Sequence, residues 1–304
     1  MTIKNMKKLT VSIGIPAYNE EANIAKLLRS LLAQKQNNFS LKEIIVVSDA
    51  SVDNTVGEIK KIKNKKIRVI ENKKRLGAAL SQNKILSHFK SDVLVLINAD
   101  VLPKNNMLIH YLVQPFMRSK RIGIVGGKTK PLPARTLAEK VINFSVSLKQ
   151  EIYESLNNSK NIYLCHGRIR AFSEKFASKF RWKPIVGEDA FSYLSCISLG
   201  FDFVYQPKGV VVYRSPQSFS DHLKQSVRFL KSRSKMKTLF NKFLVDKEYR
   251  TDLNVVLNKS FKYLAANPFL FILYVFVFEL SVILKTISPK APASWDISTS
   301  TKKI

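Results

Sequence analysis

The side chains best placed to do chemistry in this sequence are acids and amides that follow directly on apolar runs. Val93 to Asn98 is an unbroken run rich in β-branched residues, and it ends in Asn98-Ala99-Asp100. Such a run reads as a strand buried on both faces of a parallel sheet. In open α/β sheets ligands bind beyond the carboxyl ends of the strands, so two polar side chains one residue apart at that edge can meet a phosphate-bound cation. Asp100 is therefore the candidate ligand for a divalent metal. Similar polar clusters are Pro16-Ala17-Tyr18-Asn19-Glu20-Glu21, Ser48-Asp49-Ala50-Ser51-Val52-Asp53-Asn54-Thr55 and Gly187-Glu188-Asp189. Each also has a plainer use. Asn19 and the two glutamates can cap a helix, as can one of Asp49, Ser51 and Asp53. Asp100 can form a turn before Pro103, and an acidic pair at a helix start is favoured by the helix dipole.

The elements that must position these groups follow from periodicity. Thr10 to Ile15 reads as a first strand, stopped by Pro16, and Ile24, Leu27, Leu28, Leu31 and Leu32 follow a helical period after it. Glu43 to Val47 and Ile67 to Ile70 read as the second and third strands, and Gly77 opens a helix from Ala78 to Phe89. Strands alternating with helices of this length predict βαβ units and a mostly parallel sheet flanked by helices. Further on, Ile122 to Val125 reads as a strand, Ala134 to Asn157 as a long helix, Asn161 to Cys165 as a strand, Phe191 to Leu199 as a helix and Val210 to Tyr213 as an edge strand.

Composition narrows the partners. Fifty-one Lys and Arg against 22 Asp and Glu give a net charge of +29, which favours nucleotide phosphates, acidic lipid headgroups or nucleic acid. Cys165 and Cys196 stand in apolar surroundings and read as small core residues of a reducing compartment. Met1 to Leu9 carries lysines but no apolar core, so no secretory signal is expected.

The order of the polar clusters resembles the family-2 inverting glycosyltransferases: Val11 to Glu21, then Ser48 to Thr55, then Asn98-Ala99-Asp100, then Gly187-Glu188-Asp189. The resemblance covers roughly residues 10 to 235 and implies a GT-A fold, a nucleotide-binding α/β domain that moves sugar from a nucleotide-diphosphate sugar. It assigns Pro16, Ala17, Tyr18 and Glu20 to the nucleotide loop, where an aromatic ring offers a stacking surface and a carboxylate accepts ribose hydroxyls. Asp49 takes the position of the uracil-contacting aspartate, which favours UDP, although the usual Asp-Asp reads Ser48-Asp49 and the common Gly is Ala50. Asp100 matches the aspartate that holds Mg²⁺ or Mn²⁺, while Asn98 replaces the first acid of the family's DxD motif and should weaken metal affinity. Asp189 matches the catalytic base, with Glu188 beside it. His166 and Gly167, with Arg168, lie where the family has an acceptor loop, and Gly77 follows a basic loop, Lys73-Lys74-Arg75, near the nucleotide. Gln225, Arg228 and Phe229 resemble the QxxRW motif of processive synthases with Phe for Trp. Arg228 would then clamp the diphosphate and Phe229 line an acceptor channel.

The chain changes character after Ser218. His222 to Lys242 reads as a basic amphipathic helix suited to a membrane surface, and Pro268 to Ile287 supplies about one bilayer span of ~20 residues, interrupted by Glu279. The expected organisation is a tail at 1–9, the GT-A domain at 10–216, a basic amphipathic region at 217–266, a membrane-anchoring segment at 267–288 and a tail at 289–304. An anionic membrane surface and a lipid-linked or saccharide acceptor are the expected partners, with the catalytic domain on the cytoplasmic face. Nucleic-acid binding is disfavoured, since no aromatic-interleaved basic motif is present and the acidic strand ends would repel a phosphate backbone. A dinucleotide-dependent oxidoreductase is disfavoured because no Gly-x-Gly-x-x-Gly follows the first strand. A catalytically inactive relative acting as a membrane partner stays open because of Asn98.

Overall fold

Two-sided burial is what makes the central strands continuous apolar runs. In a computed structural model describing residues 8–287, Val93–Ile97 (β4) sends Val93, Val95 and Ile97 into one core and Leu94 and Leu96 into the other. Phe39–Ser48 (β2) divides likewise, with Ile44 and Val46 opposite Ile45 and Val47. Leu9–Ala17 (β1) lies between them, and Ile67–Glu71 (β3) pairs with the outer side of β2. These four strands are mutually parallel, as the βαβ pattern predicts, so the ends of β1, β2, β3 and β4 lie along one edge. Ile24–Leu32 (α1) covers one face through Ile24, Leu27, Leu28 and Leu31, and Ala78–His88 (α3) covers the other through Ile85 and Leu86.

The second half of the sheet is built from Val101–Pro103 (β5), Ile122–Pro131 (β6), Ile169–Ser173 (β7) and Asp202–Tyr213 (β8). The order is β3-β2-β1-β4-β7-β6-β8-β5. β7 runs antiparallel to β4 and β6, β5 runs antiparallel to β8, and β6 and β8 are parallel, so the sheet as a whole is mixed.

Two local expectations are overturned here. Asn161 to Cys165 is no strand: Leu164 N–H and Cys165 N–H donate to the carbonyls of Asn161 and Ile162, three residues back, in a tight 3₁₀ turn. Ile162 and Leu164 are buried at alternate positions and so imitate strand periodicity. The strand is instead β7, hidden in the sequence by the charge of Arg170. Val210 to Tyr213 is likewise no edge strand but the second half of β8, paired on both sides. Its register jumps from Gln206 to Val210, so Pro207-Lys208-Gly209 forms the bulge that made two strands of one.

Leu137–Ser155 (α5) starts with a reciprocal cap between Thr136 and Glu139. The other carboxylate oxygen of Glu139 pairs at 3.2 Å with Arg214, and both side chains are buried. Phe219–Leu239 (α8) carries the basic sequence, and the rest of the 217–266 region forms Lys242–Glu248 (α9) and Leu253–Ala266 (α10). Pro268–Ile287 (α11) is, among the described residues, the one helix long and apolar enough to cross a membrane. Phe271 and Tyr274 of α11 and Val255, Val256 and Tyr263 of α10 pack on Leu148 and Ile152 of α5 and on Leu156 directly after it. The expected tail at 289–304 and most of that at 1–9 lie outside the described residues.

Candidate active site

The polar groups that follow β1, β2 and β4 sit at the carboxyl edge of the four parallel strands. Asp49 N–H donates to the carbonyl of Ala17, and Asn72 N–H to that of Ser48, which fixes the exits of β1, β2 and β3 side by side. Asp49 is buried, and its carboxylate accepts the N–H groups of Leu76 and Gly77, both at 2.8 Å, and the Asn72 amide at 2.7 Å. The predicted base-contacting acid thus shapes the 72–77 loop as well. Three donors leave part of a carboxylate's accepting capacity for a further N–H. Gly77 (φ 86°, ψ 166°) occupies backbone space that side-chain-bearing residues avoid, so a glycine is required where this loop enters α3. Ala50 at φ 58° takes the left-handed turn that glycine commonly fills in the family.

The first-strand loop is equally ordered. Glu20 N–H donates to Thr55 Oγ1 at 2.7 Å, and its carboxylate accepts from Asn23 at 3.0 Å. The Arg75 guanidinium lies 4.1 Å from the Tyr18 ring centroid, so the basic loop before Gly77 reaches the loop that follows β1. Pro16 and Ala17 form the last pairs of β1 with Val47 and Ser48.

Asn98 and Asp100 follow β4 and are both half-buried. Asn98 N–H donates to the carbonyl of Arg168 at 3.1 Å, tying the β4 exit to the 165–168 loop. Gly167 in that loop faces the acidic turn: a Cβ there would stand 3.2 Å from Glu188 Oε1 and 3.7 Å from Asp189 Oδ2. The metal-candidate strand end and the acid pair are therefore joined through a single short loop. Among the described residues no group of three His, Cys, Asp or Glu side chains forms a ready-made metal cage. Asp100 with the Asn98 amide oxygen nevertheless suits Mg²⁺ or Mn²⁺ arriving on a diphosphate, since Mg²⁺ in particular is commonly held by one or two carboxylates plus substrate phosphates and water.

Glu188–Ser198 (α7) begins at the acidic turn, three residues before the predicted helix start, so both acids lie in its first turn. Gly187 precedes it at φ 88°. Glu188 is buried, and Trp182 Nε1–H donates to its carbonyl. Burial and the adjacent Asp189 charge raise the pKa of Glu188, opposed by Arg170 and Arg228. Asp189 is half-exposed and accepts the Ala190 N–H on Oδ1.

Burial lowers the pKa of Arg228, while Glu188 and Asp189 both pull it back up, which places the guanidinium in the field of the acid pair. Gln225, Arg228 and Ser232 share a face of α8, and Ser232 touches Gly187. Phe229 points away, 56% exposed. Burial, aided by Arg168, holds His166 at about 4 against the opposing pull of Asp189, so the imidazole is neutral at pH 7. Its Nε2 is buried and has no hydrogen-bond partner among the described residues.

Sequence reasoning missed two residues of this site. Arg170, fully buried in β7, and Trp182, under Glu188, both support the acidic turn. A lone arginine inside the apolar run Ile169 to Phe172 was the available signal. A basic depression of about 470 Å³, lined by Lys120, Arg121, Lys175, Lys179 and Phe201 among others, lies at the opposite edge of the sheet and includes none of the predicted site residues.

Comparison with known proteins gives the same frame. The family model for glycosyl transferase family 2 matches residues 12–181. The chain is similar to the probable glycosyltransferase YdaM of Bacillus subtilis, 33% identical over 147 residues, which cover 46% of this chain and 34% of that protein. It is also similar to the poly-beta-1,6-N-acetyl-D-glucosamine synthase of Staphylococcus aureus, 28% identical over 121 residues, 40% of this chain and 28% of that one. The matched segments thus span about a third of these relatives. Among solved structures, the mannosyltransferase PcManGT of Pyrobaculum calidifontis, in complex with GDP-Man and Mn²⁺, superposes with a TM-score of 0.61 at 17% identity, covering 94% of this chain and 78% of that one. A family match over more than half of the chain, on a mixed α/β sheet that superposes on a solved member of the fold, makes this protein a member of glycosyl transferase family 2 on the GT-A fold.

Proposed function

We propose that the protein is an inverting sugar transferase that takes its donor as a nucleotide-diphosphate sugar, with UDP the favoured nucleotide, and delivers the sugar to a lipid-linked or saccharide hydroxyl. The observation that carries this reading is the 165–168 loop, which bonds to the β4 exit through Asn98 and lies against Glu188 and Asp189 through Gly167. Donor diphosphate and acceptor hydroxyl would meet across it.

The roles follow from position and charge. Tyr18, Glu20 and Asp49 hold the nucleoside at the exits of β1 and β2, with Arg75 sharing the Tyr18 ring face. Asp100 and Asn98 would hold Mg²⁺ or Mn²⁺, which supplies charge neutralisation for the diphosphate. Asp189 accepts the acceptor hydroxyl proton as the new bond forms, which needs a carboxylate within ~3 Å of that oxygen. A single base with stabilisation of the departing diphosphate suffices for inversion. Arg228 supplies that stabilisation from α8, and the neutral His166, with Nε2 unpartnered, is available to the acceptor hydroxyl. Glu188 supports Asp189 from the buried side.

Attachment to an anionic bilayer follows from the outer faces of α10 and α11. Leu253, Leu257 and Phe261 form an exposed stripe on α10, and Phe269, Ile272, Phe276 and Ile283 form one on α11. Lys and Arg are plentiful on the adjoining α8, as suits the cytoplasmic surface. Val277 and Ser281 of α11 are buried, and α11 packs on α5 and α8, which favours a helix lying along the membrane surface beside the domain.

The deciding experiment is a panel of UDP-, GDP- and dTDP-sugars with Mn²⁺, read by calorimetric binding and by slow hydrolysis without acceptor. The reading requires saturable binding of at least one donor, and turnover that is lost in Asp100→Ala and Asp189→Ala. Equal turnover in both variants and the wild type would remove these residues from the mechanism. Donor binding without turnover in the wild type would favour the inactive-partner reading.

A further inference from the structure

We propose that Arg170 is a positioning residue for the acidic turn, a buried cation that clamps the start of α7 against α3, holds the Asp189 backbone through Ser192 and sets a positive charge near Glu188. This rests on the reading of Asp189 as the base.

Arg170 is 0% exposed, on a strand paired on both sides, opposite Leu96 of β4 and Gly126 of β6. Its Nη1 donates to Ser192 Oγ at 3.0 Å and its Nη2 to Gln82 Oε1 at 2.8 Å. Ser192 Oγ in turn donates to the carbonyl of Asp189 at 2.8 Å. One planar guanidinium thus ties α3, β7 and the first turn of α7 together. The Trp182 ring lies 5.5 Å from its Cζ, and the Trp182 indole N–H bonds the Glu188 carbonyl.

All of these bonds go to neutral acceptors. Among the described residues Arg170 makes no ion pair, and its Nε has no hydrogen-bond partner. A buried charge that makes no direct ion pair is expensive, and a methionine of similar length would fill the space at less cost. What a methionine lacks is a field. Glu188 is desolvated and stands beside a second carboxylate, and both conditions favour a proton on it. Arg170 opposes that from β7, and Arg228 opposes it from α8. Other titratable groups acted on by Asp189 are His166 and Cys165 on the preceding loop and Tyr249 after α9, and Arg168 on that loop adds a further positive charge close to His166 and Arg228. His166 is neutral at pH 7, and burial raises the pKa of both Cys165 and Tyr249, so none of the three supplies a positive charge.

The direction of the effect is fixed. The acid limb of activity is expected to follow Glu188, whose support of Asp189 needs an ionised carboxylate, and removing Arg170, which holds the Glu188 pKa down, moves that limb to higher pH. The test is the pH profile of kcat/KM for wild type, Arg170→Gln, Arg170→Lys and Ser192→Ala, with folding checked by circular dichroism and Tm. In Arg170→Gln the acid limb should rise by about one pH unit, the size expected for loss of a neighbouring charge. Its kcat should fall about tenfold or more, since the base is also less well aligned, with the donor KM unchanged. Arg170→Lys should return the limb to its wild-type place while kcat stays low, because one ammonium cannot span Gln82 and Ser192. Ser192→Ala should lower kcat without moving the limb. A limb that stays put in Arg170→Gln, or moves as far in Arg170→Lys, overturns the proposal. Should Arg170→Gln fail to fold, Arg170→Lys decides alone, since a displaced limb with the charge retained refutes the field effect. Asp189→Asn separates the underlying reading: if it keeps wild-type turnover the base assignment itself fails, whatever Arg170 does.

Discussion

Gly187→Ala tests whether α8 closes on the acidic turn. Gly187 has φ 88° and ψ 43°, and a Cβ there would stand 2.9 Å from Ser232 Cβ and 3.6 Å from Met236 Cε of α8. The backbone cost of an alanine in the left-handed region is about 1–2 kcal/mol. Forcing a methyl into a packed contact costs about 1–3 kcal/mol more. Together these predict a loss of roughly 2–5 kcal/mol, or about 4–20 °C in Tm for a chain of this size. Contact at 2.9 Å is relieved only if α8 shifts by several tenths of an ångström, and Arg228, one turn before Ser232, shifts with it. Because a 1 Å misplacement near the chemistry can cost about 100-fold, kcat should drop about tenfold. The assay is a double-mutant cycle with Ser232→Gly, measured by urea denaturation and by turnover. Ser232→Gly alone costs about 0.5–1 kcal/mol in a helix interior, but it removes the atom that the new methyl meets. The pair should therefore be more stable than the sum of the singles by about 1–3 kcal/mol, leaving the backbone term uncorrected. Strict additivity would mean that Ser232 does not touch this turn, and the placement of Arg228 opposite the acid pair would lose its support.

Four other outcomes are expected. Asp49→Asn sets an amide donor against Leu76 N–H, Gly77 N–H or the Asn72 amide, so stability should fall by about 1–3 kcal/mol and nucleotide affinity with it, as calorimetry would report. Glu139→Gln breaks the buried pair with Arg214 and should cost about 3–5 kcal/mol in chemical denaturation, with a wild-type-like result showing that the pair is dispensable. For His166, burial holds the folded-state pKa at about 4 against 6.5 when unfolded, so its contribution to stability is complete above pH 6.5 and is lost as pH falls from 6.5 towards 4. A His166→Gln variant should show a flatter Tm profile across that window. The membrane reading predicts sedimentation with vesicles rich in anionic lipid, weakened by salt and by Ile272→Ser with Phe276→Ser, and release by alkaline carbonate. Resistance to carbonate would instead mean that α11 spans the bilayer.

What the sequence made legible depended on whether a signal was local. β4 could be read because its apolar run answers to two cores at once, and Asp49, Asn98 and Asp100 could be placed because polar residues after such a run can only be at the strand exit. The acidic pair Glu188–Asp189 was found by resemblance, and its surroundings were not legible because they come from four distant segments: Gly167 before β7, Trp182 before α7, Arg170 within β7 and Ser232 on α8. β7 itself was lost for the reason that gives it importance. A charge inside an apolar strand breaks the alternation by which strands are recognised, and only burial shows that the charge faces a function rather than solvent. The 3₁₀ turn at Ile162–Leu164 failed in the opposite sense, since two buried residues at alternate positions obey the strand pattern without any partner strand. The basic helix α8 carries both lessons. Its charges read as a membrane face, yet Arg228 stands in the field of two carboxylates and Ser232 rests on Gly187, so the helix packs on the acidic turn, and the proposed membrane attachment rests instead on the apolar stripes of α10 and α11.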